Sequence, residues 1–459
     1  MKTMSQQPPA RADFTEGSIV SAILKMGVPS MFGFISENIY NLVDTWWVSR
    51  LPGPEAGVAA LTFFATIRWL FFSFNQFVGP GSVAIISRRY GEREYDLAET
   101  AIKETLVLKL AFGGVSGLIG YFTIEYMLRL LGAEGQALTD GIDYGRIVFL
   151  GLAVMYATYS IYTALRSMAN PRMAMLLMIA ANLLNMGLDP ILMFGYLGLP
   201  AMGIKGAAIA SVLSYVIVFL VGLVLLNAGV TNVPLRWKSK HRISWGAMVR
   251  IMRIGLPAWT GSLSFSSARL VITPLIAQFG TEIVAAYGVC NRITHFGIML
   301  LVGVGLGLSS LIGHTLGSGK TARAKKTADT AILMAVGAMT VLGAAAYFLP
   351  GQIMGLFFES PETIGYGVTI LRIIAFAFPF LGAFLMIEEI HQGVGLNTPS
   401  MFMNILHAWI LQAGPIFLAT TVLGWGHQAI WWIITLSVAV SSILFYWYYR
   451  RGRWLTVKV

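Results

Sequence analysis

The chain has 459 residues, of which 56% are hydrophobic and only 12% charged, and its mean hydropathy is +0.71. A water-soluble domain carries roughly a quarter of its residues as charge, so this composition excludes a soluble fold, a disordered chain and a collagen. The lone Cys290 excludes a disulfide scaffold, and the net charge of +11 is spread over alternate loops, where it serves topology and not nucleic-acid binding.

A helix crosses a bilayer core with ~20 apolar residues. Apolar runs between Gly, Pro and charge clusters predict twelve such helices. They cover 19–47, 57–86, 97–128, 140–167, 172–194, 203–227, 247–279, 282–313, 321–349, 362–393, 398–423 and 428–449. No run alternates with period two as a membrane barrel strand would. The polar residues 1–18 hold no short apolar core with a cleavage site, so the first helix is expected to direct insertion without a cleavable signal.

Nineteen Lys and Arg fall in one set of loops and tails, from Lys2 and Arg11 through Arg88, Arg236, Lys238, Lys240 and Lys320 to Arg451 and Lys458. The other set holds three: Arg50, Arg129 and Lys205. Cytoplasmic loops carry the excess of basic residues. The chain is therefore expected in the plasma membrane as a multi-pass protein, with both termini and the 228–246 loop cytoplasmic. The basic, aromatic stretch 231–254, with Trp237 and Trp245, reads as a linker, with contact to anionic lipid headgroups as the other reading.

The two halves of the chain echo one another. Ile23 to Pro29 recurs as Ile251 to Pro257, displaced by 228. Gly91 is echoed by Gly317 at 226, Pro171 by Pro399 at 228 and Pro190 by Pro415 at 225. Repeats of six helices keep the same orientation, and two parallel repeats about an axis along the membrane normal are a transporter plan. The expected organisation is a tail (1–18), an N-lobe (19–227), a linker (228–246), a C-lobe (247–449) and a tail (450–459). The fold class is all-α integral membrane, with two six-helix lobes around a central cavity.

Ionisable residues inside membrane helices are costly and mark function. The first helix carries Glu37, Asn41 and Asp44, whose spacing of four and three puts them on one face, beside Tyr40. The fifth carries Asn182, Asn185 and Asp189 at spacings of three and four, and ends at Pro190. Carboxylates withdrawn from water and set near one another take up protons more readily than exposed ones, so these stripes form a candidate proton or cation site. The repeat places Ile272 and Gly414 opposite Asp44 and Asp189, so the second half lacks this site. Its own acidic pair, Glu388 and Glu389, is read as structural, paired with Arg372 or another base. Pro29 is a candidate hinge, since proline removes a helical hydrogen bond.

Several stretches resemble motifs and fail. Gly313 to Thr321 has His314 where a phosphate loop needs glycine. Gly303, Gly305 and Gly307 read as close-packing positions in a helix. The six histidines show no metal-binding spacing, and nothing points to an enzyme, a metal or another cofactor.

Tyr40 to Asp44 with Trp47 to Ser49, Asn185 to Pro190, and Gly203 to Ser211 together resemble the multidrug and toxic compound extrusion (MATE) transporters over nearly the whole chain. The acid in the first helix is most similar to the DinF branch. That resemblance implies a hydrogen-bonded proton site in the N-lobe, carried here by Asp44, Asn185 and Asp189. Tyr144 matches a family tyrosine, and Ser211 stands where threonine is common. Tyr40 and Met178 match cavity-lining types, whereas Glu37 replaces a Gln and Tyr162 an Asn of a related member. The seventh helix, Pro257 to Phe265, lacks the acid of the NorM branch and its sodium site. The resemblance implies a monomeric, cation-coupled antiporter among membrane lipids, driven by H+ (Na+ being the other ion), that exports small amphipathic, often cationic compounds. A flippase for lipids or lipid-linked sugars is the alternative.

Overall fold

The helix starts are set by residues that occupy the free backbone donors of a first turn. Side-chain oxygens of Ser18, Asn170, Ser244 and Ser360 accept from the backbone N–H three residues on, while Pro54, Pro171 and Pro361 open helices where no donor is needed. The computed structural model describes residues 14–229, 231, 233–236 and 241–457. Lys2, Arg11, Trp237, Lys238, Lys240 and Lys458, and with them most of the first tail, lie outside the described residues.

The helices run in chain order as α1 (Ile19–Val48), α2 (Pro54–Ser73), α3 (Gly79–Gly91), α4 (Tyr95–Leu130), α5 (Gly135–Ser167), α6 (Pro171–Phe194), α7 (Ile204–Asn227) and α8 (Trp245–Ala277). They continue as α9 (Thr281–Gly317), α10 (Thr321–Phe348), α11 (Pro350–Gly355), α12 (Pro361–Ala375), α13 (Phe378–Val394), α14 (Asn397–Ile405), α15 (Gly414–Phe417) and α16 (Gln428–Arg450). Among the described residues ten spans are long and apolar enough to cross a membrane, and α12 with α13, bent by 53°, makes an eleventh. The 33-residue α8 is long enough, but Arg250, Arg253, Arg269 and four serines between Ser262 and Ser267 dilute it. With α8, the described helices follow the twelve expected spans. This is an all-helical, multi-pass membrane protein.

Three spans depart from simple helices. The second breaks into α2 and α3 at a 3₁₀ turn, Phe74–Phe77. The tenth bends between α12 and α13, where Pro379 has no N–H to continue the ladder. The eleventh widens to π-type winding at Leu406–Ala413 and Leu418–Val422, on either side of α15.

One apolar core gathers the helices after Ala268 together with Ala22, Ile23 and Met26 of α1, and two more are built mainly from α2–α7, joined by Val48 of α1 and by Met248 and Ile251 of α8. Close contact between the halves runs through glycines, and it is mirrored. A methyl on Gly91 would meet the carbonyl of His314, and one on Gly317 the carbonyl of Arg88. Likewise Gly255 lies against Phe77 and Gly81 against Ile251, while Gly27 lies against Val304 and Gly307 against Met26. Gly303 abuts Met31 and Gly305 abuts Glu389, so the glycines of α9 are packing positions as expected.

The chain ends cross between halves. Lys320 donates to Thr15 and Glu16, and Arg323 donates to the carbonyls of Phe14, Glu16 and Gly17. At the other end Arg88 donates to the carbonyl of Val457 at 2.6 Å. The linker is pinned to α4: Glu99 accepts from the Arg236 N–H at 2.8 Å and Glu104 from that of Ser244 at 3.1 Å.

Candidate coupling site

α1 and α6 lie side by side, and their polar stripes meet. A helix repeats its face every three to four residues, so α1 offers Glu37, Tyr40, Asn41 and Asp44 while α6 offers Asn182, Asn185 and Asp189. Gly33 permits the approach, since a Cβ there would sit 2.8 Å from the Met178 sulfur. Asp189 is fully buried and Asp44 is 5% exposed.

Two groups form. In the first, the Asn185 amide, oriented to satisfy both neighbours, donates to Asp189 Oδ2 at 3.0 Å and accepts from the Ser211 hydroxyl at 3.1 Å. That hydroxyl lies 3.2 Å from the Tyr40 phenol oxygen, and Tyr144 shares a hydrogen bond with Ser211 beside both aspartates. Asp44 Oδ1 is buried without a hydrogen-bond partner. A buried oxygen in that condition is costly, and a bound proton or cation would relieve it.

In the second group, Glu37 accepts from the Tyr159 phenol at 2.7 Å, and Asn41 accepts from Arg68 at 3.1 Å. Arg68 of α2 thus meets the middle of the α1 stripe, with Glu37 and Asp44 both in its field. Asn182 donates to Ser36 at 2.7 Å. Tyr162 is buried with an unpartnered hydroxyl, and Met178 is buried against Gly33. Pro29 is buried within α1, which runs on through it without a break.

Sequence reasoning missed Arg68 and Tyr159. A base in the middle of the apolar run from Leu61 to Phe77 was a usable signal for the first; nothing marked the second. In the other half, Glu388 accepts from Asn404 at 2.8 Å and Glu389 lies in the field of Arg166 from α5, while Arg372 is exposed and pairs with neither. Among the described residues no group of three His, Cys, Asp or Glu could hold a metal ion.

A broken, glycine-seamed bundle of two echoing halves, with acids buried among its membrane helices, defines a secondary transporter. Residues 29–191 and again 257–418 match the MatE family model, and the chain belongs to that family. It is a transporter and not an enzyme. Among curated relatives, the probable multidrug resistance protein YoeA of Bacillus subtilis is 25% identical over 97% of this chain and 96% of its own length. The multidrug export protein MepA of Staphylococcus haemolyticus is also 25% identical, over 94% of this chain and 93% of its own. A solved structure of a multidrug resistance MATE family transporter in its outward-facing conformation superposes with a TM-score of 0.87. Its identity is 25%, over 99% of this chain and 100% of that one.

Proposed function

We propose that this chain is a cation-coupled multidrug antiporter of the DinF-like branch. It exports small amphipathic compounds, organic cations among them, by alternating access. The observation that carries this reading is the Asp44, Asn185, Asp189 and Ser211 cluster. It is a buried carboxylate pair with an amide bonded to one member, and one oxygen of the other is left without a partner. Such a site holds a proton or a small cation in one state and releases it in another. Proton is the ion favoured, because the family resemblance of the first-helix acid points to proton-coupled members.

In this scheme Asp44 and Asp189 exchange the ion, and Asn185, Ser211, Tyr144 and Asn182 orient them. Glu37 and Asn41 with Arg68 form a second, charge-balanced arm. Tyr40, Tyr162 and Met178 line the substrate path of the N-lobe, and Pro29 is the bending point of α1. Residues 19–227 and 247–449 act as lobes that rock about the glycine contacts. The 228–246 linker and both tails face the cytoplasm at the plasma membrane, and the unit is a monomer in lipid.

The test is transport by purified protein in liposomes with imposed proton or sodium gradients, offered a panel of organic cations and lipid-linked sugars. Efflux of organic cations driven by the proton gradient is expected. Movement of lipid-linked sugars alone, with no dependence on either gradient, would replace the antiporter with a flippase.

A further inference from the structure

The MatE-type site lies in the first half, yet the second half carries an unexplained group of bases. Arg269 stands on α8, and Arg292 and His295 stand on α9; all three are exposed. Among the described residues neither arginine has a carboxylate within ion-pair distance. A charge inside a membrane helix persists where water, a partner or a ligand receives it.

Their direction follows from contacts farther along the same helices. On α9, Met299 accepts from Asn38 of α1, Gly303 abuts Met31 and Gly307 abuts Met26. These residues, four apart, mark the face of α9 turned to the first half. Arg292 lies seven residues before Met299, two turns away on that same face. His295 lies at its edge.

On α8, Gly255 abuts Phe77, and Trp259 donates to Ser73 at 3.3 Å and stacks on Phe74. Arg269 lies ten residues beyond Trp259, at the edge of that face nearer α9, within the field of His295 and Tyr287. At Met299 and Trp259 both faces touch the first half. The three bases continue the two facing surfaces beyond that point, toward the helix ends at Ala277 and Thr281.

We infer that Arg269, Arg292 and His295 form a binding subsite for the acidic group of an amphiphile (a carboxylate, sulfonate or phosphate), placed on the second half opposite the carboxylates of the first. The planar guanidinium offers paired donors that suit such oxygens. A cargo with a cationic and an acidic end would meet opposite charges on the two walls. This deepens the antiporter reading and rests on it for the direction of transport, whereas binding at the subsite stands apart from any gradient.

Rhodamine B and its ethyl ester share a cationic ring system and differ in one carboxylate. Their affinities for the full-length protein in detergent are read by fluorescence anisotropy, with no gradient present. The acid is expected to bind at least tenfold more tightly than the ester. The double variant Arg269→Gln/Arg292→Gln is expected to abolish that difference and leave the ester unchanged. The matching Lys substitutions should keep part of it, and monodispersity in size exclusion checks the fold of each.

Equal binding of both dyes by the unaltered protein overturns the subsite, as does a parallel loss of both in the Gln variant. In phosphatidylcholine nanodiscs, added phosphatidylglycerol separates the two sources of the acidic group. Weakening of the acid alone assigns the subsite to lipid headgroups, and no change assigns it to free amphiphiles. If the dyes bind as expected but neither is moved by a gradient, the antiporter reading fails and the subsite remains.

Discussion

In the first half of the chain, Asp44 and Asp189 stand on adjacent helices with Asn185 bonded between Asp189 and Ser211. In the second half the same offsets lead to Ile272, a buried apolar residue, and to Gly414, which opens α15. The scaffold is shared: glycines 226 or 228 residues apart make mirrored contacts across the interface. A helix pair of this kind therefore packs without the carboxylates. Buried acids are costly, and the second half places its own, Glu389, on α13 and not at the positions that echo Asp44 and Asp189.

The sharpest way to break this contrast is Asp44→Asn. It keeps the size and removes the exchangeable charge, so gradient-driven efflux is expected to fall to the background of empty liposomes while the protein stays monodisperse. Normal efflux would return the first half to the status of the second. Asp189→Asn comes next, with a loss of tenfold or more, and a difference between the two variants would show which carboxylate carries the ion.

The mirror itself is tested by Gly91→Ala and Gly317→Ala. Each methyl would press on a carbonyl of the other half, and overpacking of this kind costs about 1–3 kcal/mol. Both variants should lower the thermal midpoint by similar amounts, and a large inequality would deny the symmetry. Pro29→Ala is expected to reduce efflux severalfold with dye binding intact; unaltered efflux at equal expression would make the proline a passive kink. The smallest effect is expected from Glu388→Gln, whose hydrogen bond from Asn404 survives neutralisation. Loss of efflux there would give the second half a coupling role after all.

The helical plan was legible because apolar runs of bilayer length are bounded by Gly, Pro and charge, and the observed ends fall near the expected ones. The 3₁₀ turn at Phe74–Phe77 and the π-type winding after Ile405 were hidden, because apolar residues populate all these windings alike. Pro379 was visible in the tenth span, but its 53° bend depends on how α12 and α13 pack. The carboxylate and amide stripes were legible from spacing within single helices. Their partners were not: Arg68 is 27 residues from Asn41 and Tyr159 is 122 from Glu37, so only the packing of helices brings them together.

The crossed chain ends carry a thermodynamic consequence. The Phe14–Gly17 segment is bonded to Lys320 and Arg323, and Val457 is bonded to Arg88. Any rearrangement that parts the halves on this side hands those bonds to water. A hydrogen bond exchanged for water is worth about 0.5–1.5 kcal/mol net, so a few together weight the resting population toward the closed arrangement. At 1.4 kcal/mol per factor of ten, about 3 kcal/mol corresponds to roughly a hundredfold bias. The two tails thereby contribute to how much binding energy the cargo and ion must supply before the transporter turns over.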